Sequence, residues 1–314
     1  MIFLGLGLTL FALFVINLLR TNSTTIDQSN EIYELSLKSI AVFFKSPQFK
    51  RSCPSGLLVI VLIFLVLVWF ITQSRFNDVA TNLLATTQSA ISNLDEEARH
   101  YRRDTLFLAN TPPIQLLKTL SVNSDIDVSK ENRVLLKQSD ERLEDIFKAY
   151  MLSNTDVYQV RFIEASNGWQ ERVKVQRNSE ELEAFDKESL QSKENEPYIG
   201  QTLNVGRGNV FQSDINLNRE FGKIEQPMRP VWRFSTPLFY SDGRPLGIII
   251  INVNANSFLK KVANSTTSET KLYITNNEGG FLRNPNSAKD FTFENGGSYR
   301  WQDEFHQVDL PYGL

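Results

Sequence analysis

The sequence predicts an α+β fold: membrane-spanning helices, then a long helix, then an antiparallel sheet flanked by helices. Three observations carry this. An uncharged, apolar stretch lies between Arg51 and Arg75. A helical period runs through the residues after it. From Val157 onward the period changes from near 3.6 to two, the mark of strands.

The apolar stretch holds an unbroken run, LLVIVLIFLVLVWFI, from Leu57 to Ile71. A membrane core about 30 Å thick needs roughly 20 such residues in a helix. Trp69 and Phe70 stand near the far end, where an interfacial aromatic belt belongs. This predicts a transmembrane helix over 55–73. A second apolar run, MIFLGLGLTLFALFVINLL, occupies residues 1–19 and lacks the basic start and small-residue cleavage pattern of a signal peptide. It reads as another transmembrane helix. Between the two, residues 20–54 carry Arg20, Lys38, Lys45, Lys50 and Arg51. The positive-inside rule puts this loop in the cytoplasm, and the chain after Arg75 beyond the inner membrane, in the periplasm. Residues 1–35 read equally as an upstream extension of a signal anchor that begins near Phe43.

Residues 76–112 then predict one long helix. Val79, Leu83, Ala90, Leu94, Tyr101 and Leu108 form a thin apolar stripe, and Thr111-Pro112-Pro113 ends it. Such a stripe suits a homodimer stalk, or a helix lying on its own domain, or each over a different stretch. Residues 129–153 predict a second helix, with Leu135, Leu136, Leu143, Ile146, Phe147 and Tyr150 on one face and Ser129 as N-cap.

The strands follow. Residues 157–163 alternate, Asn167-Gly168 signals a hairpin, and residues 171–177 return. Residues 179–203, with the acidic run EELEAFDKESLQSKENEP at their centre, read as a helix then a loop, and the acidic stretch 180–196 as a solvated surface. A short strand is expected over 209–215. Residues 231–240 form a strand with a bulge or an edge near Pro237, and Ser241-Asp242-Gly243 turns the chain. Leu246 to Val253 is apolar on both sides and so predicts a central strand. Residues 271–275 and 281–283 form a last hairpin around Asn276-Asn277-Glu278-Gly279-Gly280. The expected division is a sheet domain over 113–262 and a second, partial one over 263–314.

Composition narrows the function. The net charge of −3 lacks the basic face that a nucleic-acid phosphate backbone requires. A single cysteine, Cys53, and two distant histidines, His100 and His306, leave no expected metal site, and no cofactor is implied. Neither a phosphate-binding glycine loop nor a nucleophile elbow is present, so no catalytic residue is expected in this chain. His100 reads as part of a solvated helix face and Cys53 as an interfacial thiol.

The order and spacing of several residues resemble the double-Cache, PAS-like sensor domains of bacterial histidine kinases and diguanylate cyclases. These are Asn167-Gly168, Glu171-Arg172, Tyr198, Phe211 to Pro227, Pro230, Arg233, Thr236-Pro237, Asp242-Gly243, Gly247 and Asn252. Residues 279–285, GGFLRNP, resemble that family's G-x-x-L-x-H-P stretch, with Asn284 where histidine is usual. The resemblance implies a ligand-holding membrane-distal subdomain, a smaller proximal one cut short here, and a signalling output, a kinase before a cyclase or chemoreceptor. A membrane-anchored binding protein without output is the other class.

Strand alternation puts Arg161 with Gln159 opposite Tyr158, Val160 and Phe162, and Arg233 with Ser235 opposite Trp232 and Phe234. Two arginines facing one enclosure suit a small anionic ligand. The plainer reading pairs them with Glu164, Glu171 or Asp214. The candidate ligand-binding set is Arg161, Arg172, Tyr198, Asp214, Arg233 and Ser235. The R-x-W-Y core of amino-acid-binding Cache domains is not visible, so no amino-acid ligand is expected.

Overall fold

The computed structural model describes residue 45 and residues 47–120, 130–179, 181–264 and 271–305. The expected first membrane helix at 1–19 and the N-cap at Ser129 lie outside the described residues. The chain divides into two compact units, residues 1–85 and 86–314.

Helix α1, Pro47–Ala109, is continuous over 63 residues. The membrane-spanning segment and the long helix after it run on as one, because no glycine or proline interrupts residues 57–109. An 18-residue stretch of this helix, within Gly56–Ala109, has mean hydropathy 2.7 and none of it is buried. By length and composition it can cross a membrane. Thr111 and the two prolines redirect the chain as expected, and Pro112 opens helix α2, Pro112–Leu120. Helix α3, Lys130–Ser153, buries Leu143, Phe147 and Met151 completely.

The sheet is antiparallel throughout. Its strands are β1 (Val157–Glu164), β2 (Gln170–Asn178), β3 (Glu181–Ala184), β4 (Phe211–Gln212), β5 (Asn216–Leu217), β8 (Pro230–Phe239) and β9 (Pro245–Asn254), in the order β3-β2-β1-β9-β8-β4 with β5 also on β8. Two short strands, β6 (Arg219–Glu220) and β7 (Lys223–Ile224), make a separate hairpin. Strand β9 is central, as its two-sided apolarity predicts, and pairs with β1 and β8. At Gly247 the strands approach so closely that a Cβ would lie 2.1 Å from the Ile163 carbonyl oxygen. Pro237 sits on β8 beyond the residues that pair with β4, so its missing N–H costs no ladder bond.

One face of the sheet packs on α1 and α3 around Val160, Phe162, Trp232, Phe234, Ile249 and Ile251. The other carries a small cluster of Ile163, Ile248, Ile250, Tyr198 and Ile199, the last two on helix α4, Pro197–Asn204. Helix α5, Ala255–Asn264, follows β9. Strands β10 (Ile274–Thr275) and β11 (Phe281–Arg283) pair, and helix α6, Trp301–Glu304, comes after them. Leu282 and Phe291 join the main core.

Three local expectations change. The start of the acidic run is strand β3, not helix: Leu182 and Ala184 alternate toward the core while Glu181 stays exposed, a period of two that the glutamates mask. The hairpin at Asn167-Gly168 is a longer turn, a 3-10 segment over Ala165–Asn167 followed by left-handed Gly168 (φ 64°) and Trp169 (φ 55°). Tyr158 leaves the apolar face, because a register shift between Val157 and Gln159 reverses its side, and its hydroxyl donates to Glu225 at 2.5 Å.

Candidate functional site

The face of the sheet opposite α1 and α3 is polar where the strands run out of isoleucine. Gln159 and Arg161 on β1, Asn252 on β9 and Arg233 and Ser235 on β8 lie in adjoining rows, with Gln159 and Arg233 both in register with Asn252. All five are buried. Asn252 joins the rows: its Oδ1 accepts from Arg161 Nη2 at 3.4 Å, and its Nδ2 donates to Gln159 Oε1 at 3.1 Å.

Helix α4 and residues 213–219 roof this face and leave a cavity of about 210 Å³. Tyr198 hangs from α4 into it. The guanidinium carbons of Arg161 and Arg233 lie 5.8 and 5.7 Å from the centre of its ring. Arg161 donates to Glu171 at 3.1 Å, while Arg233 donates to the amide oxygens of Asn216 and Asn218. The Tyr198 hydroxyl and the Nε atoms of Arg161 and Arg233 are buried and have no hydrogen-bond partner among the described residues. Such groups cost stability unless something meets them.

Beside the cavity, Lys174 and Lys193 are also buried. Lys174 Nζ donates to Glu220 at 3.2 Å, and Lys193 Nζ lies 4.0 Å from Glu171 and 3.9 Å from Glu220. Burial would raise the Glu220 carboxyl, but Arg161, Lys174 and Lys193 outweigh it and hold the group down at about 2. Burial and the neighbouring Arg161 charge lower Arg233 to about 10. Burial also pulls on Arg161, yet Tyr198, Glu171 and Glu220 together keep it above its ordinary value. The interior is therefore rich in positive charge. Two carboxylates stand in the cavity wall, Glu196 and Glu294. Glu294 accepts from the Leu217 N–H at 2.9 Å, and burial pushes its carboxyl up.

Three of the six residues predicted from sequence, Arg161, Tyr198 and Arg233, thus meet in one cavity. Ser235 shares their face but is sealed under α4, its hydroxyl 2.5 Å from that of Thr202. Arg172 goes elsewhere. Strand β2 sets Glu171 opposite Ile163 and Val173 opposite Phe162, so Arg172 is the extra residue of a bulge. It donates to Asp140 at 2.7 Å and Glu164 at 3.0 Å in a separate, more open cleft of about 650 Å³. Asp214 is exposed and outside the cavity lining. Of the plainer pairings, that of Arg161 with Glu171 is present, Glu164 is taken by Arg172, and Arg233 has no ion pair among the described residues.

Sequence reasoning missed Asn216, Asn218 and Glu220. Their signal is the alternation Asp214, Asn216, Asn218, Glu220 around the apolar Ile215 and Leu217, which pack on the core. It also missed Lys174, which strand alternation places with Gln176, and Lys193, which no local pattern marks.

Residues 122–302, more than half of the chain, match the family model described as the sensor domain of bacterial histidine kinases. The chain belongs to that family. Among solved structures, this sensor domain resembles the extracellular domain of a protein assigned as a histidine kinase, vpHK1S-Z8 (14% identity, 73% of this chain and 75% of that one, TM-score 0.55). It also resembles a domain of a protein assigned to the sensory box/GGDEF family from Vibrio parahaemolyticus (14% identity, 73% and 79% covered, TM-score 0.56). A more distant match is the ligand-binding domain of the Campylobacter jejuni chemoreceptor Tlp3 in complex with 4-methylisoleucine (16% identity, 66% and 69% covered, TM-score 0.45). No curated protein matches. The antiparallel sheet flanked by helices is the fold that this chain shares with those first two sensor structures.

Proposed function

We propose that this sensor domain reads a small anionic ligand held between Arg161 and Arg233 beneath Tyr198. One observation carries the reading: two buried guanidiniums share one aromatic ring in a cavity where their Nε atoms and the tyrosine hydroxyl lack partners. A carboxylate or phosphate oxygen would supply acceptors and offset the surplus positive charge. The volume, about 210 Å³, suits a compact molecule. Ligand binding acts on signalling only through different affinity for two conformations of the domain.

The apolar stretch of α1 and the basic residues before it support the location. The domain lies on the periplasmic side of the inner membrane, the output is a histidine kinase, and two copies pair along α1. Support for the pairing is the stripe of Phe76, Val79, Leu83, Leu84 and Ile91, all exposed at positions that share a helix face.

The test is titration calorimetry of the full chain in lipid nanodiscs with acetate, succinate, citrate, phosphate and sulfate. At least one should bind, and Arg233→Ala should weaken it at least about tenfold, the ~1.4 kcal/mol scale of a charge-assisted hydrogen bond. Absence of binding by every anion, or a hit indifferent to Arg161→Ala and Arg233→Ala, overturns the proposal.

A further inference from the structure

Strand β4 is only two residues long, yet with Ser213 just after it the segment touches both the cavity and the helix that leads to the membrane. On the cavity side, Ser213 and Arg233 are bonded twice. The Arg233 N–H donates to Ser213 Oγ at 3.1 Å, and the Ser213 N–H donates to the Arg233 carbonyl at 3.0 Å. The indole N–H of Trp232 adds a bond to the Ser213 carbonyl at 3.0 Å. Ser213 and Arg233 both line the cavity.

The next residue back, Gln212, faces the other way. Its Oε1 accepts from Arg102 Nη2 on α1 at 2.9 Å, across 110 positions of sequence. The residue after Arg233, Phe234, is in register with Gln212 and lies 5.5 Å, ring to ring, from Tyr101 on the same helix. Tyr101 is buried, whereas the Arg102–Gln212 bond is exposed. Besides its apolar packing on the sheet, α1 makes two side-chain hydrogen bonds toward α3. Tyr150 donates to Asp104 at 2.9 Å and His100 lies 3.3 Å from Asn154, and both partners belong to or follow α3.

We infer that β4 transmits the state of the cavity to helix α1, with Ser213 following Arg233 and Gln212 carrying that movement to Arg102. This rests on the cavity being the ligand site. The reason is the short path: β4 is an edge strand paired with β8 alone, and the adjacent residues Gln212 and Ser213 hold Arg102 and Arg233, so a shift of Arg233 reaches Arg102 through one peptide unit. Arg102 and Gln212 are thereby positioning residues for the signal, not ligand contacts.

A double-mutant cycle without any ligand tests it, so an empty ligand screen and a failed coupling remain distinct results. Hydrogen exchange is measured on the full chain in nanodiscs at the amides of residues 98–106. Arg233→Gln should change their exchange rates by about threefold or more, and in a Gln212→Ala background by less than about 1.5-fold, a non-additivity of the size seen for coupled neighbours. In a Tyr150→Phe background, which loosens α1 from α3 only, the full effect of Arg233→Gln should persist. If Arg233→Gln does not fold, Arg233→Lys takes its place in the same cycle. The inference is overturned if the cavity substitution leaves residues 98–106 unchanged, if its effect is the same with and without the Gln212 side chain, or if Tyr150→Phe removes it equally.

Discussion

Arg161 and Arg233 face one ring, that of Tyr198, from 5.8 and 5.7 Å, but only Arg161 has a carboxylate within ion-pair distance among the described residues. The two guanidiniums therefore repel each other across a buried site, and Arg233 bears the cost. Its proton affinity falls to about 10 through burial and Arg161. The penalty of the charged form is full below that pH and is relieved as pH rises above it. Replacing Arg233 by Gln should leave ligand-free stability unchanged or raise it by about 1 kcal/mol, measured by urea unfolding. Anion binding by the unaltered protein should be level from pH 7 to 9. It should weaken above about pH 10, approaching tenfold per pH unit, because ligand-free Arg233 has then lost its proton. Calorimetry across pH 8–11 checks this.

Glu171 is the opposite case. It is buried, it accepts from Arg161 at 3.1 Å, and its other oxygen accepts from the Gln191 N–H at 3.1 Å. Removing it leaves a buried guanidinium without its counter-charge. Glu171→Leu should destabilise the domain by about 3–5 kcal/mol, the usual cost of breaking a buried pair from one side. A loss under about 1 kcal/mol would mean that Glu220 takes over the role.

Glu220 gives the acid response. Its carboxyl is held at about 2 despite burial, through Arg161, Lys174 and Lys193. A depressed carboxyl stabilises the fold at pH above its unfolded value, and that contribution disappears as pH falls toward about 2. Unfolding free energy should thus decline between about pH 4.5 and pH 2. In Glu220→Gln this part of the slope should flatten, with a loss near neutral pH of about 2 kcal/mol.

The sheet was legible because its signals are local. The two-sided apolarity of Leu246 to Val253 marks a central strand, and alternation along 157–163 separates Arg161 from Phe162. What misled depends on one residue out of step. The bulge at Arg172 turns that side chain to Asp140, and the shift beside Tyr158 turns its ring to the polar face. Bulges reverse faces without changing composition, so a period count cannot find them. Ser235 lies on the expected face, but its burial under Thr202 depends on where α4 lands, which is a tertiary fact. Glu294 and Lys193 reach the site from distant loops, and no spacing rule links them to Arg233.

Tyr198→Phe separates the site's own stability from its use. The hydroxyl is buried and unpartnered while the ring packs with Ile199, Ile163 and Ile248, so the ring contributes to folding and the oxygen does not. Burial pushes its proton affinity up, which keeps the hydroxyl neutral and able to donate. Removing the oxygen should raise ligand-free stability by about 1 kcal/mol, since a buried polar group without a partner is lost. Affinity for an anion in the cavity should fall by about threefold to tenfold, the ~0.5–1.5 kcal/mol of one hydrogen bond. The two effects have opposite signs, so thermal unfolding with and without the anion distinguishes them in a single series. A variant that loses stability and keeps its affinity would show that the hydroxyl meets a protein partner and not a ligand.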